Sequence, residues 1–376
     1  MRDIAEGLRE LLVRDQPFAV STVVGARGSS PRPPGAAMAV TADGEAIGSI
    51  SGGCVEGAVY DTAERVLAGE GAVVETYGYS DDDAFAVGLT CGGTLEVLVA
   101  PADRALLAAW AERVAVDDPV ALATVVSGPA PLGAQLLVGS GTALGTLGTE
   151  GLDVAVTDDA LGMLAAGQTG DRHYGERGQR RVDDVTVFVQ SFTPPPRMLV
   201  FGATDFAAAV SRIGVFLGYR VTVCDARPVF ATARRFPEAH EVVCEWPHRY
   251  LERTALDART VICVLTHDPK FDVPLLEVAL RRPAAYVGAM GSRRTHDDRL
   301  RRLREVGLTD DELARLHSPI GLDLGARTAE ETAVSIAAEL VQARWGGSGR
   351  PLAVTEGDIH VGHGHAAATT PVPGSR

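Results

Sequence analysis

Residues 197–345 alternate short apolar runs with amphipathic stretches. Met198–Phe201 is an apolar run of strand type that Gly202 breaks. Phe206, Val210, Ile213, Phe216 and Leu217 then recur at helical spacing, Gly218 ends that helix, and Arg220–Cys224 reads as a second strand closed by Asp225. Strand, glycine turn, helix, strand and acidic residue make the first unit of a dinucleotide-type fold. The alternation continues through a strand at Arg259–Thr266, a helix at Pro274–Leu280, a strand at Ala285–Met290 and a charged helix at Arg294–Val306. Thr328-Ala329-Glu330-Glu331 opens the last helix with a capping box. This order predicts a Rossmann-like, doubly wound parallel sheet with helices on both faces.

The N-terminal half is patterned differently. MRDIAEGLRELLVRDQ spaces its apolar residues as an amphipathic surface helix. Phe18–Val24 reads as a strand ended by Gly25, and Ala36–Thr41 with Glu45–Ser51 as a hairpin around Asp43-Gly44. Val55–Leu67 reads as a helix, and Thr94–Val99, Pro119–Val126, Leu136–Val138 and Val185–Gln190 as strands. The reading is a mixed α/β domain over residues 1–192, a proline linker at 193–196, the Rossmann-like domain at 197–345 and a disordered polar tail at 346–376. No internal repeat of useful length stands out.

Composition narrows the class. The 376 residues are 46% hydrophobic and 22% charged, as expected of a folded soluble protein. No apolar stretch reaches the roughly 18 residues of a membrane span. The net charge of −14 falls almost wholly on residues 1–196, which argues against tracking a nucleic-acid backbone. Lys270 is the only lysine and follows Pro269, so there is no Gly-Lys-Ser/Thr phosphate loop. Five scattered cysteines without CxxC spacing indicate free thiols in a reducing, cytoplasmic compartment.

Several short stretches have the makings of a binding site. Ser51-Gly52-Gly53-Cys54-Val55-Glu56-Gly57 places Cys54 between a strand and a helix, where unpaired amides stabilise a thiolate and adjacent glycines admit a ligand. The alternative is a small apolar residue at a tight turn. Thr90-Cys91-Gly92-Gly93 repeats the combination, and two such thiols suggest a soft-ligand or sulfur-handling site. Cys224 and Cys263, in apolar strands, read as core. The stiff loop Gly28–Gly35, with Ser30 and Arg32, is either an anion cradle or a structural turn. Gly202-Ala203-Thr204-Asp205-Phe206-Ala207 is a degraded Gly-x-Gly-x-x-Ala turn, with Asp225 placed to grip a ribose hydroxyl. Ser292, Arg293 and Arg294 converge at a helix start suited to phosphate, or else form a solvated face paired with Asp297 and Asp298. His267 and Asp268 lie at a strand end, where open α/β sheets place ligands. His360, His363 and His365 read as part of a siteless tail. On these residues alone, a soft-ligand or sulfur-handling site and an NAD(P)-dependent oxidoreductase both remain open.

Taken together, GSSPRPPGAAM, GSISGGCVEGAV, GLTCGGTLEVLV, VTVCDARPVFATARRFP, LTHD, YVGAMGSRR and SPIGLDLGARTAEETAVSIAAEL resemble, in order, motifs of the XdhC/CoxI family. These are accessory chaperones for molybdenum hydroxylases such as xanthine dehydrogenase and aerobic carbon monoxide dehydrogenase. The resemblance implies a family-type N-terminal domain and a Rossmann-like C-terminal one. It implies binding and protection of the molybdenum cofactor (molybdopterin, with or without an added nucleotide), help with its terminal sulfur, and delivery to an apoenzyme. A cysteine desulfurase is an implied partner, and a homodimer is compatible with the role. Cys54, then Cys91, are the implied contacts to the metal or its sulfur. The pterin, phosphate and metal would meet Gly52, Gly53, Gly92, Gly93, Ser30 and Arg32 in the first half. In the second they would meet Gly202, Asp225, His267, Asp268, Ser292, Arg293 and Arg294. The family often has Gly-Ala-Gly-His-Asp where this chain has Gly202-Ala203-Thr204-Asp205-Phe206, so that glycine and histidine are not carried over.

Overall fold

A computed structural model describes residues 1–14, 16–28, 32–78 and 93–356. The chain divides into two units, Met1–Pro194 and Pro195–Thr355, with the break inside the proline run.

In the first unit, the β-branched runs of the sequence form two antiparallel five-stranded sheets. The first is built from β1 (Phe18–Arg27), β2 (Ala37–Thr41), β3 (Ala46–Gly48), β4 (Val73–Tyr77) and β5 (Thr94–Pro101), in the order β3-β2-β1-β5-β4. The second is built from β6 (Val120–Ser127), β7 (Gln135–Gly139), β8 (Thr142–Gly145), β9 (Gly170–Tyr174) and β10 (Val185–Phe192), in the order β8-β7-β6-β10-β9. Helix α1 (Ala5–Val13) precedes the first sheet and α2 (Glu56–Arg65) joins β3 to β4; α3 (Arg104–Ala115) precedes the second sheet and α4 (Glu150–Ala166) joins β8 to β9.

The two halves of this unit therefore repeat one another, contrary to the expectation of no internal repeat. The duplication extends to detail. A β-bulge interrupts the pairing at Val23/Gly25 in β1 and at the matching Val125/Ser127 in β6. The loop to the next strand is closed by Gly35 N–H to Val23 O (2.7 Å) in one half and by Gly133 N–H to Val125 O (2.9 Å) in the other. The pairs Gly48/Gly145, Ile50/Leu147, Val55/Leu152, Glu56/Asp153, Val59/Val156 and Ala63/Ala160 keep one constant spacing. Strand alternation divides the core accordingly. Ala19, Val23, Met38 and Val40 pack under α2, and Ala121, Ala123, Leu136 and Val138 under α4. The opposite faces, Val20, Ala37, Ala39, Val120, Leu122 and Leu137, share a cluster with Leu8 and Leu11 of α1 and Trp110 of α3.

Several boundaries differ from the sequence reading. Gly25 does not end β1 but sits at its bulge, where a Cβ would come within 2.7 Å of the Glu96 carboxylate. Helix α2 ends at Arg65 and unwinds into a π-turn at Val66–Glu70, because Gly69 adopts φ +106°.

The second unit has the expected architecture. Strands β11 (Arg197–Phe201), β12 (Arg220–Asp225), β13 (Glu241–Cys244), β14 (Val261–Val264), β15 (Tyr286–Ala289) and β16 (Leu316–His317) form one parallel sheet, ordered β13-β12-β11-β14-β15-β16. Met198, Val200, Val261 and Cys263 face α5 (Asp205–Phe216) and α10 (Ala329–Trp345). Their neighbours Leu199, Phe201, Ile262 and Val264 face α6 (Pro247–Arg253), α7 (Pro269–Leu280) and α8 (Arg293–Glu305). A short α9 (Asp310–Leu313) follows α8. Helix α7 begins five residues before the expected Pro274, since Asp268 caps it and Pro269 fits its first position. The expected capping box at Thr328 and Glu331 is present. Residues 346–356, expected to be disordered, carry a left-handed cap at Gly346 and a 3-10 turn at Leu352–Val354.

Candidate functional site

The loop between β3 and α2 carries Cys54. Its shape is set by the Glu56 carboxylate, which gathers six donors. Oε1 accepts from the Ser49 hydroxyl (2.7 Å) and the amides of Ile50 (3.2 Å), Ser51 (2.8 Å) and Gly52 (2.9 Å). Oε2 accepts from the Ser51 hydroxyl (2.5 Å) and the Gly53 amide (2.8 Å). The Ser51 hydroxyl oxygen in turn accepts from the amides of Cys54 and Val55, both at 2.9 Å. Burial disfavours the charged form of Glu56, but the hydrogen bonds from Ser51 and Ser49 outweigh it and hold the carboxyl well below the usual carboxylate range.

This corrects one expectation. The amides thought to be unpaired beside Cys54 are all taken, from Ile50 through Val55, by Glu56 and Ser51. Thiolate stabilisation by open amides is therefore not what the loop offers. It offers exposed glycine backbone, free of side chains among the described residues. Gly52 (φ +78°) and Gly53 (φ +117°) adopt conformations that favour glycine, and among the described residues a Cβ on either, or on Gly57, would have no atom within 4 Å. Cys54, half-buried, packs against the core under α2 at the edge of this surface.

The other candidates of the first unit are placed as follows. Arg32 is ion-paired with Asp3, whose carboxylate also meets the Met1 ammonium at 3.2 Å. Gly93 is buried just before β5. Cys91, Gly92 and Ser30 lie outside the described residues, as do His360, His363 and His365. Among the described residues, no three His, Cys, Asp or Glu side chains form a group that would hold a metal ion.

In the second unit the candidates line the carboxyl edge of the parallel sheet. Gly202 makes the turn after β11 at φ +109°, with its Cβ direction blocked by Thr266 at 2.9 Å. Asp225 is buried and fully engaged: Oδ2 accepts from the Ala203 amide and Arg227 Nη2, both at 2.7 Å, and Oδ1 from the Arg227 amide (2.8 Å) and Nε (2.9 Å). Burial opposes its ionisation, but these contacts keep the carboxyl below its ordinary range. An Asp held this way has no oxygen left over for a ribose, which corrects the expected grip. Asp268 caps α7 and pairs with Lys270 at 3.0 Å, and His267 is exposed beside it. Ser292 caps α8 through the Thr295 amide. Arg293 and Arg294 are exposed and make no ion pair among the described residues; Asp298 pairs instead with Arg301 and Arg302. Cys224 and Cys263 are buried, and burial pushes both thiols up to about 12, as fits core residues.

Sequence reasoning assigned no role to Glu56, Ser49, Ser51 or Arg227. A usable signal existed: Ser49 and Glu56 recur as Thr146 and Asp153, and Thr146 Oγ1 donates to Asp153 at 2.8 Å while the Leu147 amide donates at 2.6 Å.

Comparison with known families agrees with this architecture. Residues 198–340 match the model of the XdhC Rossmann domain. Residues 11–78 and 113–175 match that of the XdhC and CoxI family, one stretch in each repeat of the first unit. The chain belongs to the XdhC/CoxI family. A relative from Bacillus subtilis (strain 168), described as a probable xanthine dehydrogenase subunit, is 27% identical over 89% of this chain and 96% of its own. The molybdenum cofactor insertion chaperone PaoD of Escherichia coli (strain K12) is 28% identical over 89% of this chain and 86% of its own. A crystal structure from Bacillus halodurans, described as a xanthine dehydrogenase, shares the fold with a TM-score of 0.62 and 24% identity, over 93% of this chain and 97% of that one. Among the described residues no helix is long and apolar enough to cross a membrane.

Proposed function

We propose that the protein is a carrier and not a catalyst. It binds the molybdenum cofactor, assists the addition of its terminal sulfur with a cysteine desulfurase as partner, and inserts it into an apo-molybdenum hydroxylase of the xanthine or carbon monoxide dehydrogenase type. The setting is the cytoplasm, and a homodimer suits a carrier that must cover an oxygen-sensitive cargo. The observation that carries the reading is the open Gly52-Gly53 surface ending at Cys54, in a chain whose relatives include a molybdenum cofactor insertion chaperone. A flat pterin can lie against backbone that presents no side chain, and a thiol suits a soft metal or its sulfur. Within the second unit, taken by itself, Ser292, Arg293 and Arg294 at the start of α8 suit an anion, with or without a nucleotide attached.

The test is to purify the full chain from cells that make the cofactor. Stoichiometric pterin and molybdenum are expected, and their absence refutes the reading. Cys54→Ala should lower retained molybdenum about tenfold or more, and unchanged retention would remove the thiol's role. Hydride transfer with saturable NADH or NADPH binding would favour the oxidoreductase alternative. The engagement of Asp225 by Arg227 and Ala203 counts against that alternative.

A further inference from the structure

The carboxylate of Glu56 does more than close a helix entry. The second repeat shows what closing the entry requires, because Asp153 does it there with two bonds, from the Thr146 hydroxyl and the Leu147 amide. Glu56 makes the matching two bonds, from the Ser49 hydroxyl and the Ile50 amide, and adds four more, from the Ser51 amide and hydroxyl and the Gly52 and Gly53 amides. The additional bonds fall only on the three residues that lead into Cys54. The Ser51 hydroxyl passes the hold onward, donating to Glu56 while accepting from the Cys54 and Val55 amides. At the position matching Cys54 the second repeat has Gly151, whose Cβ direction is closed by the Arg177 carbonyl at 2.4 Å. One extra methylene in the carboxylate and one thiol in place of hydrogen thus occur in the same repeat.

We propose that Glu56 is a positioning residue for the Cys54 thiol. Its carboxylate fixes the Ser51–Val55 backbone so that the Gly52-Gly53 surface stays clear and the sulfur sits at its edge. The significance of that placement rests on the reading that Cys54 meets the cofactor.

Glu56→Asp installs the carboxylate that the second repeat folds with, so it should keep the Ser49 and Ile50 contacts and lose those to Gly52 and Gly53. Ser51→Ala removes the relay hydroxyl and serves if the Asp variant folds poorly. Two readouts are taken on the full chain without cofactor: hydrogen exchange of the 51–55 amides, and iodoacetamide alkylation of Cys54 followed by peptide mass. The exposed Cys244 is the internal reference. Both variants should speed exchange of those amides by clearly more than they lower protection in β1 and β5, and should change Cys54 alkylation relative to Cys244 by about tenfold. The double variant should add little to either single one, because both act through one network. Exchange and alkylation at wild-type values in both variants would overturn the proposal. So would a change that spreads equally over β1 and β5, since that is general loosening. These measurements need no cofactor, so a wild-type protein that retained no molybdenum would refute the carrier reading alone.

Discussion

The entry to α2 and the entry to α4 are two versions of one design. Each follows a short third strand, each buries an apolar residue (Ile50, Leu147) and each uses a carboxylate on the first helical turn to gather donors from the loop. In the second, Thr149 caps the helix in the ordinary way, accepting from the Leu152 amide at 3.3 Å. In the first, Gly52 and Gly53 leave exposed backbone, and the Ser51 hydroxyl before them accepts from the Cys54 and Val55 amides that lead into the helix. The difference separates what the fold demands from what a site adds. The strand, the buried residue and the carboxylate are common to both. The diglycine, the thiol and the four additional hydrogen bonds occur once.

If that separation holds, shared positions should be costly in both repeats. Gly48 and Gly145 adopt φ +94° and +95°. A Cβ on Gly48 would stand 2.5 Å from the Ala37 carbonyl and 2.5 Å from Ile4; on Gly145 it would stand 2.3 Å from the Gln135 carbonyl and 3.1 Å from Leu106. Gly48→Ala and Gly145→Ala should each destabilise the first unit by about 2–3 kcal/mol, measured by urea unfolding. A cost in one repeat and none in the other would break the equivalence.

Capping should divide them. Thr149→Ala should cost about 1 kcal/mol, the usual value of a lost cap. Ser51→Ala should cost more, about 2 kcal/mol, because its hydroxyl serves two amides and Glu56 at once. Equal losses in urea unfolding would mean that the Ser51 network is only a cap.

Much of the second unit was readable because each of its elements carries its own punctuation. Gly202 and Gly218 bracket α5, and Thr328 with Glu331 announces α10. The first unit was less readable, although its duplication left a trace: Gly44, Ala46 and Gly48 recur as Gly141, Ala143 and Gly145. Conservative exchanges elsewhere hide the rest, and long helices such as α4 mix apolar and acidic residues around much of their girth. Cys54 and its glycines stood out as residue types. Their environment did not, because a carboxylate that folds back onto the amides before it depends on loop torsions that no residue pattern specifies. The same limit explains Asp225, whose spacing from Gly202 suited a ribose but whose partner, Arg227, lies two residues on.

The smallest effect expected concerns pH. In the folded protein the carboxyl of Glu56 lies below its ordinary value, because hydrogen bonds to the charged form overcome the opposition of burial. A depressed carboxyl adds stability above the unfolded value, about 4.3 for glutamate, and loses it as pH falls toward the folded one. Glu56→Gln removes that contribution at every pH, since its amide does not titrate. The gap in urea midpoint between wild type and Glu56→Gln should therefore be widest near neutrality and should narrow steadily below about pH 4. Glu56 is partly open to water, which screens the interaction and keeps the change modest. A gap independent of pH would show that ionisation of Glu56 adds nothing to stability, and that the loss in Glu56→Gln comes from replacing an acceptor oxygen with an amide NH2.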